Sequence, residues 1–181
     1  MKKTIAFLLA AAILALCLSG CGAGKEKEFK EDVKKLKEAA AINVPLISVM
    51  LSYEQVYMDV NSIEDDQHVN EVTQHAISMY DNTLEQLKSE GKDVSEATIE
   101  KMGDRADAMD SLMKEISANS AGKDAFPDLY QAAIMLHTTH TAMLGFMIAP
   151  EGPADQFKKD YESLVDLANE KIKEIEELLD E

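Results

Sequence analysis

Apolar residues recur along most of the chain with the three- and four-residue spacing of a buried helix face. The first stretch with this spacing opens with Phe29, Val33, Leu36 and Ala40. Such a pattern is typical of an amphipathic helix. Pro45 lies inside the same stretch, and a proline within a helix removes one hydrogen bond and kinks the axis. We therefore expect the first helix to bend between residues 41 and 45, or to break there into two helices.

Four more segments show the same periodicity, and no segment alternates as a strand would. Their predicted inward residues are Val69, Val72, Ala76, Met79, Thr83 and Leu87; Ile99, Met102, Ala106, Met109, Met113 and Ile116; Phe126, Leu129, Ala133, Leu136, Met143, Leu144 and Met147; and Phe157, Tyr161, Leu164, Ala168, Ile172, Ile175 and Leu179. Short breaks separate the segments, and short loops make sequential helices antiparallel neighbours. The pattern predicts an all-α, up-and-down antiparallel bundle of four to five helices, the first kinked near Pro45.

Capping residues mark several of the predicted helix ends. Gly91 follows the second helix, where a residue in the left-handed conformation belongs. Asp93 and Glu96 have the spacing of a capping box at the start of the third helix. Asp124 is placed to cap the fourth helix, and Pro153 suits the first turn of the last.

The N-terminus has a different composition from the rest of the chain. Lys2 and Lys3 are followed by residues 5–18, which are apolar throughout and carry no charge. Fourteen residues are too few to cross a bilayer as a helix, which takes about 20. A basic start followed by a short apolar run is typical of a secretory signal.

Leu18-Ser19-Gly20-Cys21 directly follows that apolar run and resembles the lipobox of bacterial lipoproteins. Cys17 fits the pattern less well, because a branched leucine stands just before it. The resemblance implies a diacylglyceryl group on Cys21 and cleavage of the chain before that residue. It also implies a position outside the cytoplasm on a bacterial membrane. An uncleaved signal anchor and an ordinary secretory signal are the alternatives.

This resemblance divides the chain into three parts: a signal peptide (1–20), a lipidated tether (21–26) and a helical-bundle domain (27–181). If extended, the five residues after Cys21 reach about 17 Å, which would keep the domain close to the bilayer. Cys17 leaves with the signal peptide, so the mature chain has neither a free thiol nor a disulfide, although it reaches an oxidising compartment.

The mature chain is strongly acidic. Removing residues 1–20 leaves 16 basic and 34 acidic residues, a net charge of −18. Nucleic-acid binding needs basic patches and is excluded as a function. Anionic lipid headgroups would also repel this body, so we expect the lipid on Cys21 to hold it at the membrane.

A polar island, residues 137–141, interrupts the otherwise apolar fourth helix. His137 and His140 are three residues apart and share one helix face, and His140 lies on the core stripe. Glu54 has a similar position among the apolar residues of the first helix. A buried carboxylate normally has a partner, so we predict a polar contact between Glu54 and His137 or His140.

Three interpretations of that contact are open. A buried polar pair can fix the register of the helices. Two imidazoles and a carboxylate are also suitable ligands for zinc or iron, which makes His137, His140 and Glu54 a candidate metal site. The third interpretation is a pocket for a small ligand.

Other candidate chemistry is better explained by structure. His68, Glu71 and His75 share a face that flanks the core stripe, as on a solvated helix surface. A di-iron bundle needs two inward Glu-x-x-His motifs, and the sequence contains none. Met79, Met102, Met109, Met113 and Met143 fall on core stripes, where packing accounts for them. Neither a nucleophile elbow nor a phosphate-binding glycine loop is present.

The sequence therefore predicts a lipid-anchored, non-enzymatic binding or interaction module without a cofactor. Its expected partners are the membrane, through the lipid, and a protein or a small solute. The alternative is a metal-binding bundle that uses His137, His140 and Glu54.

Overall fold

The computed structural model describes the backbone of residues 2–60, 66–92, 99–148 and 153–181, and the side chains of 22–52, 73–92, 99–147 and 153–181. These residues form six α-helices and one 3₁₀ turn, Ile99–Lys101, with no strand among them. The helices are α1 (Lys2–Val60), α2 (Asp66–Ser89), α3 (Met102–Ala118), α4 (Ser120–Ala125), α5 (Pro127–Ile148) and α6 (Ala154–Asp180). The all-α bundle predicted from the periodicity is confirmed. Across the described residues, no helix combines the length and apolar content needed to cross a bilayer.

The central helix of the bundle is α1, which packs against each of the other five. Its direction relative to α6 follows from two contacts: Lys37 pairs with Glu176, and Ser52, further along α1, meets Tyr161. The residue numbers rise along one helix and fall along the other, so α1 and α6 are antiparallel. Asn43 contacts Met102 and the earlier Lys25 contacts the later Asn119, so α3 is antiparallel to α1. Phe29 contacts Tyr130 and Asn43 contacts His140, so α5 is parallel to α1. The helices α1, α3, α5 and α6 thus alternate in direction.

The structure bears on two expectations about α1. The helix continues through Pro45, so of the two alternatives predicted there, the break into two helices does not occur. The residues next to the proline, Val44, Leu46 and Ile47, are fully buried, and this packing holds the helix together despite the missing hydrogen bond. Residues 22–26 also belong to α1. Five helical residues span about 7.5 Å, which is much shorter than an extended tether.

The core consists largely of the predicted inward residues. Buried apolar side chains on five helices form one cluster, which includes Phe29, Leu36, Ile47, Leu87, Met109, Ile116, Leu136, Met143, Phe157 and Ile175. In α2 the predicted stripe is less covered, since Ala76, Met79 and Thr83 are half-buried and Leu87 is buried. The predicted inward position of Ile99 is wrong, because the residue lies in the 3₁₀ turn before α3 and is 37% exposed.

The helix ends confirm one capping prediction and correct others. Gly91 has φ +75°, and the N–H groups of Gly91 and Lys92 donate to carbonyls of the last turn of α2, as predicted for a left-handed cap. Asp124 does not cap a helix, because it lies within α4. Pro153 immediately precedes α6 instead of lying in its first turn. The proposed capping box, at residues 93–96, lies outside the described residues.

A side chain that sequence analysis did not single out caps α4. Asn119 accepts a hydrogen bond from the Gly122 N–H at 3.0 Å, and its Nδ2 donates to the Lys25 carbonyl at 2.7 Å. One side chain therefore caps α4 and joins the corner between α3 and α4 to the N-terminal part of α1. The Phe29 ring packs directly on the Gly122 backbone, where a Cβ atom would overlap it.

Candidate functional site: a polar cluster in the bundle core

A buried asparagine on α1 is the centre of the polar cluster. Asn43 lies three residues after Ala40 and four before Ile47, and all three side chains are fully buried. Helical periodicity thus places an amide side chain among apolar ones. A buried amide is unfavourable unless its polar atoms are hydrogen-bonded.

The Asn43 amide is bonded by residues of two other helices. Its Nδ2 donates to the Met102 carbonyl at 3.3 Å and lies 3.1 Å from His140 Nε2. Its Oδ1 accepts from Arg105 Nε at 2.5 Å. The amide therefore joins α1 to α3, through Met102 and Arg105, and to α5, through His140.

These partners determine the proton position on His140. A guanidinium is only a donor and a carbonyl only an acceptor, so Arg105 and Met102 together fix which end of the Asn43 amide is oxygen and which is nitrogen. The nitrogen faces His140 Nε2, which must then accept the hydrogen bond. His140 is therefore neutral and has its proton on Nδ1.

Burial also keeps His140 neutral. The side chain is 2% exposed, and its pKa is lowered from 6.5 to about 4. Desolvation is the main cause and the neighbouring His137 contributes in the same direction, whereas Asp110 acts in the opposite direction. A protonated His140 would also direct an N–H at the Asn43 amide hydrogens, which makes the charged form still less favourable.

His137 has a different environment from His140. Its Nε2 lies 2.6 Å from Asp110 Oδ1, at an exposed contact between α5 and α3. The Nε2 atoms of the two imidazoles are thus directed at separate partners. Among the residues with described side chains, no group of three or more His, Cys, Asp and Glu could hold a metal ion. The Glu54 side chain lies outside the described residues, so its contact with either histidine stays a prediction.

Of the remaining predicted residues, His75 is exposed and does not join the cluster. The side chains of Cys21, His68 and Glu71 lie outside the described residues. Two cluster members were missed in the sequence. Asn43 could have been found from its phase on the core stripe, and Arg105 because it is the only arginine in the chain.

The cluster is a hydrogen-bond network that spans three helices. The Asn43 amide bonds to Arg105 and to His140, and its other Nδ2 hydrogen is donated to the Met102 carbonyl. Such a network can hold the three helices in position. No protein-family model, no curated protein and no solved structure matches the chain.

Proposed function

We propose that the chain is a lipid-anchored, non-enzymatic binding module on the extracytoplasmic side of a bacterial membrane. The observation that carries this proposal is Leu18-Ser19-Gly20-Cys21, placed directly after the apolar run of residues 5–18. A cysteine that receives a diacylglyceryl group has two acyl chains, and two chains attach a protein stably to a bilayer.

The position of the bundle relative to Cys21 fits this role. The Asn119 side chain is bonded to the Lys25 carbonyl, only four residues after Cys21. Four residues of helix span about 6 Å. The lipid would therefore hold a folded domain directly at the membrane surface, with α1 leading from the anchor into the centre of the bundle.

The polar groups of the described core support a binding role more than a catalytic one. Asn43, Arg105 and His140 engage one another, which leaves them a structural task. The strong negative charge of the mature chain favours a cationic partner, since long-range attraction accelerates encounter with opposite charge. Among the described side chains, no observation favours metal binding over this role.

Mass spectrometry of the protein from the membrane fraction tests the anchor. We expect a mature chain that begins at Cys21 and carries a diacylglyceryl group. Cys21→Ser should retain residues 1–20 and lack the lipid, whereas the matched control Cys17→Ser should mature like the wild type. A mature chain that begins elsewhere, or an unmodified Cys21, would overturn the proposal.

Protease treatment of spheroplasts, whose cytoplasmic membrane is intact, tests on which side of that membrane the domain lies. The domain should be degraded without lysis if it faces outward, while a cytoplasmic marker protein survives. Protection of the domain until the cells are lysed would contradict an extracytoplasmic position.

A further inference from the structure

An apolar groove of about 240 Å³ lies between α1, α2 and the 3₁₀ turn. Its lining is apolar except for one threonine and one tyrosine, and consists of Val49, Met50, Thr73, Ala76, Ile77, Tyr80 and Ile99. Ile77 is 49% exposed and Ile99 is 37% exposed. Among the described residues three large hydrophobic side chains are exposed, and two of them line this groove.

The groove exists because α2 is covered on one side only. This helix packs chiefly on α1, whereas residues 39–52 of α1 are all buried or half-buried. Thr73, Ala76, Ile77 and Tyr80 follow the spacing i, i+3, i+4, i+7 and form a stripe along α2. A groove between two helices that is lined by such a stripe accommodates the apolar face of a third helix.

The surface beside the groove is acidic. Asp81 lies one turn after Ile77, and Glu100 and Asp104 follow Ile99 along the chain; all three carboxylates are exposed. Lys101 supplies one positive charge against these three negative ones. A helix that fills the groove therefore meets net negative charge at its polar edges, which favours a basic polar face.

We propose that this groove binds an amphipathic helix with a basic polar face, which belongs to a partner protein. The proposal rests on the proposed binding function and specifies its partner. Val49 is 28 residues after Cys21, which corresponds to about 42 Å of helix. That length of α1 would present the groove beyond the lipid headgroups, where a partner protein can reach it.

Two synthetic peptides test the proposal. Both form 18-residue helices with the same leucine face, but one has lysines and the other glutamates on the polar face. Each is labelled and titrated, by fluorescence anisotropy, with the full mature protein in nanodiscs of zwitterionic lipid, and empty nanodiscs give the blank. We expect the lysine peptide to bind and the glutamate peptide not to bind.

A pair of neutral substitutions locates the binding site. Ile77→Ser should weaken binding of the lysine peptide about fivefold, because the peptide buries the exposed half of that side chain. Met135→Ser is the matched control, since Met135 is 36% exposed on α5, away from the groove. Neither change alters the charge, so unspecific attraction of the peptide is the same in all three proteins. Unfolding midpoints of both variants verify that the fold is kept.

Several outcomes would overturn the proposal. If both peptides bind equally well, charge does not select the partner. If neither binds, the groove is not a binding site for such a helix. Equal effects of Ile77→Ser and Met135→Ser would place binding elsewhere. If sedimentation detects a dimer that Ile77→Ser dissociates, the occupant is a second copy of this chain. The mass of the same sample reports separately on Cys21, so failure of the anchor and failure of the groove are distinguishable.

Discussion

Acidification is expected to destabilise the bundle through His140. The imidazole has a pKa of 6.5 in the unfolded chain and about 4 in the folded protein. As the pH falls from 6.5, the unfolded state binds a proton that the folded state does not yet accept. The free energy of unfolding therefore falls between pH 6.5 and about 4, and the contribution of His140 is fully lost below that range.

The size of this effect follows from the two pKa values. Each pKa unit corresponds to about 1.4 kcal/mol, so the complete loss is about 3 kcal/mol. At pH 5.5 the loss is about 1.4 kcal/mol, and at pH 4.5 about 2.5 kcal/mol. A domain is typically stable by about 5–15 kcal/mol, so one buried imidazole removes a large part of the stability in mild acid.

Urea unfolding, followed by far-UV circular dichroism from pH 7.5 to 4.5, measures this loss. His140→Gln removes the titrating group and retains an acceptor for the Asn43 amide. His75→Gln is the matched control, because His75 is exposed. Carboxylate titration is common to all three proteins and cancels in the comparison.

The wild type and His75→Gln should lose about 2.5 kcal/mol more than His140→Gln over this range. The same pH dependence in His140→Gln as in the wild type would refute the argument that burial of neutral His140 controls the acid response.

Two further substitutions test individual contacts. Asn43→Asp should raise the pKa of His140, because an anionic acceptor replaces the donor that faces its Nε2; an unchanged pKa in an NMR titration would contradict the contact between Asn43 and His140. Gly122→Ala should lower the free energy of unfolding by about 1–3 kcal/mol, since the added methyl group overlaps the Phe29 ring. Gly103→Ala has open space around it and should leave stability unchanged or raise it by up to about 1 kcal/mol; equal losses in both variants would show that the close contact has no effect.

The periodicity predicted the core of α1, α5 and α6 well, because these long helices pack against the core along their described length, so the buried face recurs in every turn. It failed at Ile99, where a 3₁₀ turn replaces the start of the expected helix and shifts the residue off the stripe. The capping prediction for Asp124 also failed, because that residue lies inside the short helix α4. Asn119 caps α4, and its second hydrogen bond, to Lys25, is a tertiary contact that local sequence does not encode.

The candidate site was predictable in part, because helical phase indicates which side chains face the core. The helical phase of His140 predicted its burial, and the residue is buried. The structure also places beside His140 a partner that the sequence does not predict, Asn43, which lies 11 residues before Glu54 on α1. A contact of Glu54 with His137 or His140 stays a prediction. Phase determines which side of a helix faces the core, but it does not determine how far one helix is shifted along another. That shift depends on loops and packing over the whole bundle.

The polar cluster determines the alignment of the helices more strictly than apolar packing can. Two helices with apolar faces can slide by one turn, about 5.4 Å, and still bury similar side chains. A slip of α3 against α1 would break the hydrogen bond between Asn43 and Arg105, and a slip of α5 would break the one between Asn43 and His140. Each buried group left unpaired costs about 1–3 kcal/mol, which selects one alignment. If Cys21 is lipidated and residues 1–20 are removed, the mature chain has no disulfide to impose that alignment. The three helices then keep their register through hydrogen bonds that require a neutral His140, and acid weakens register and stability together.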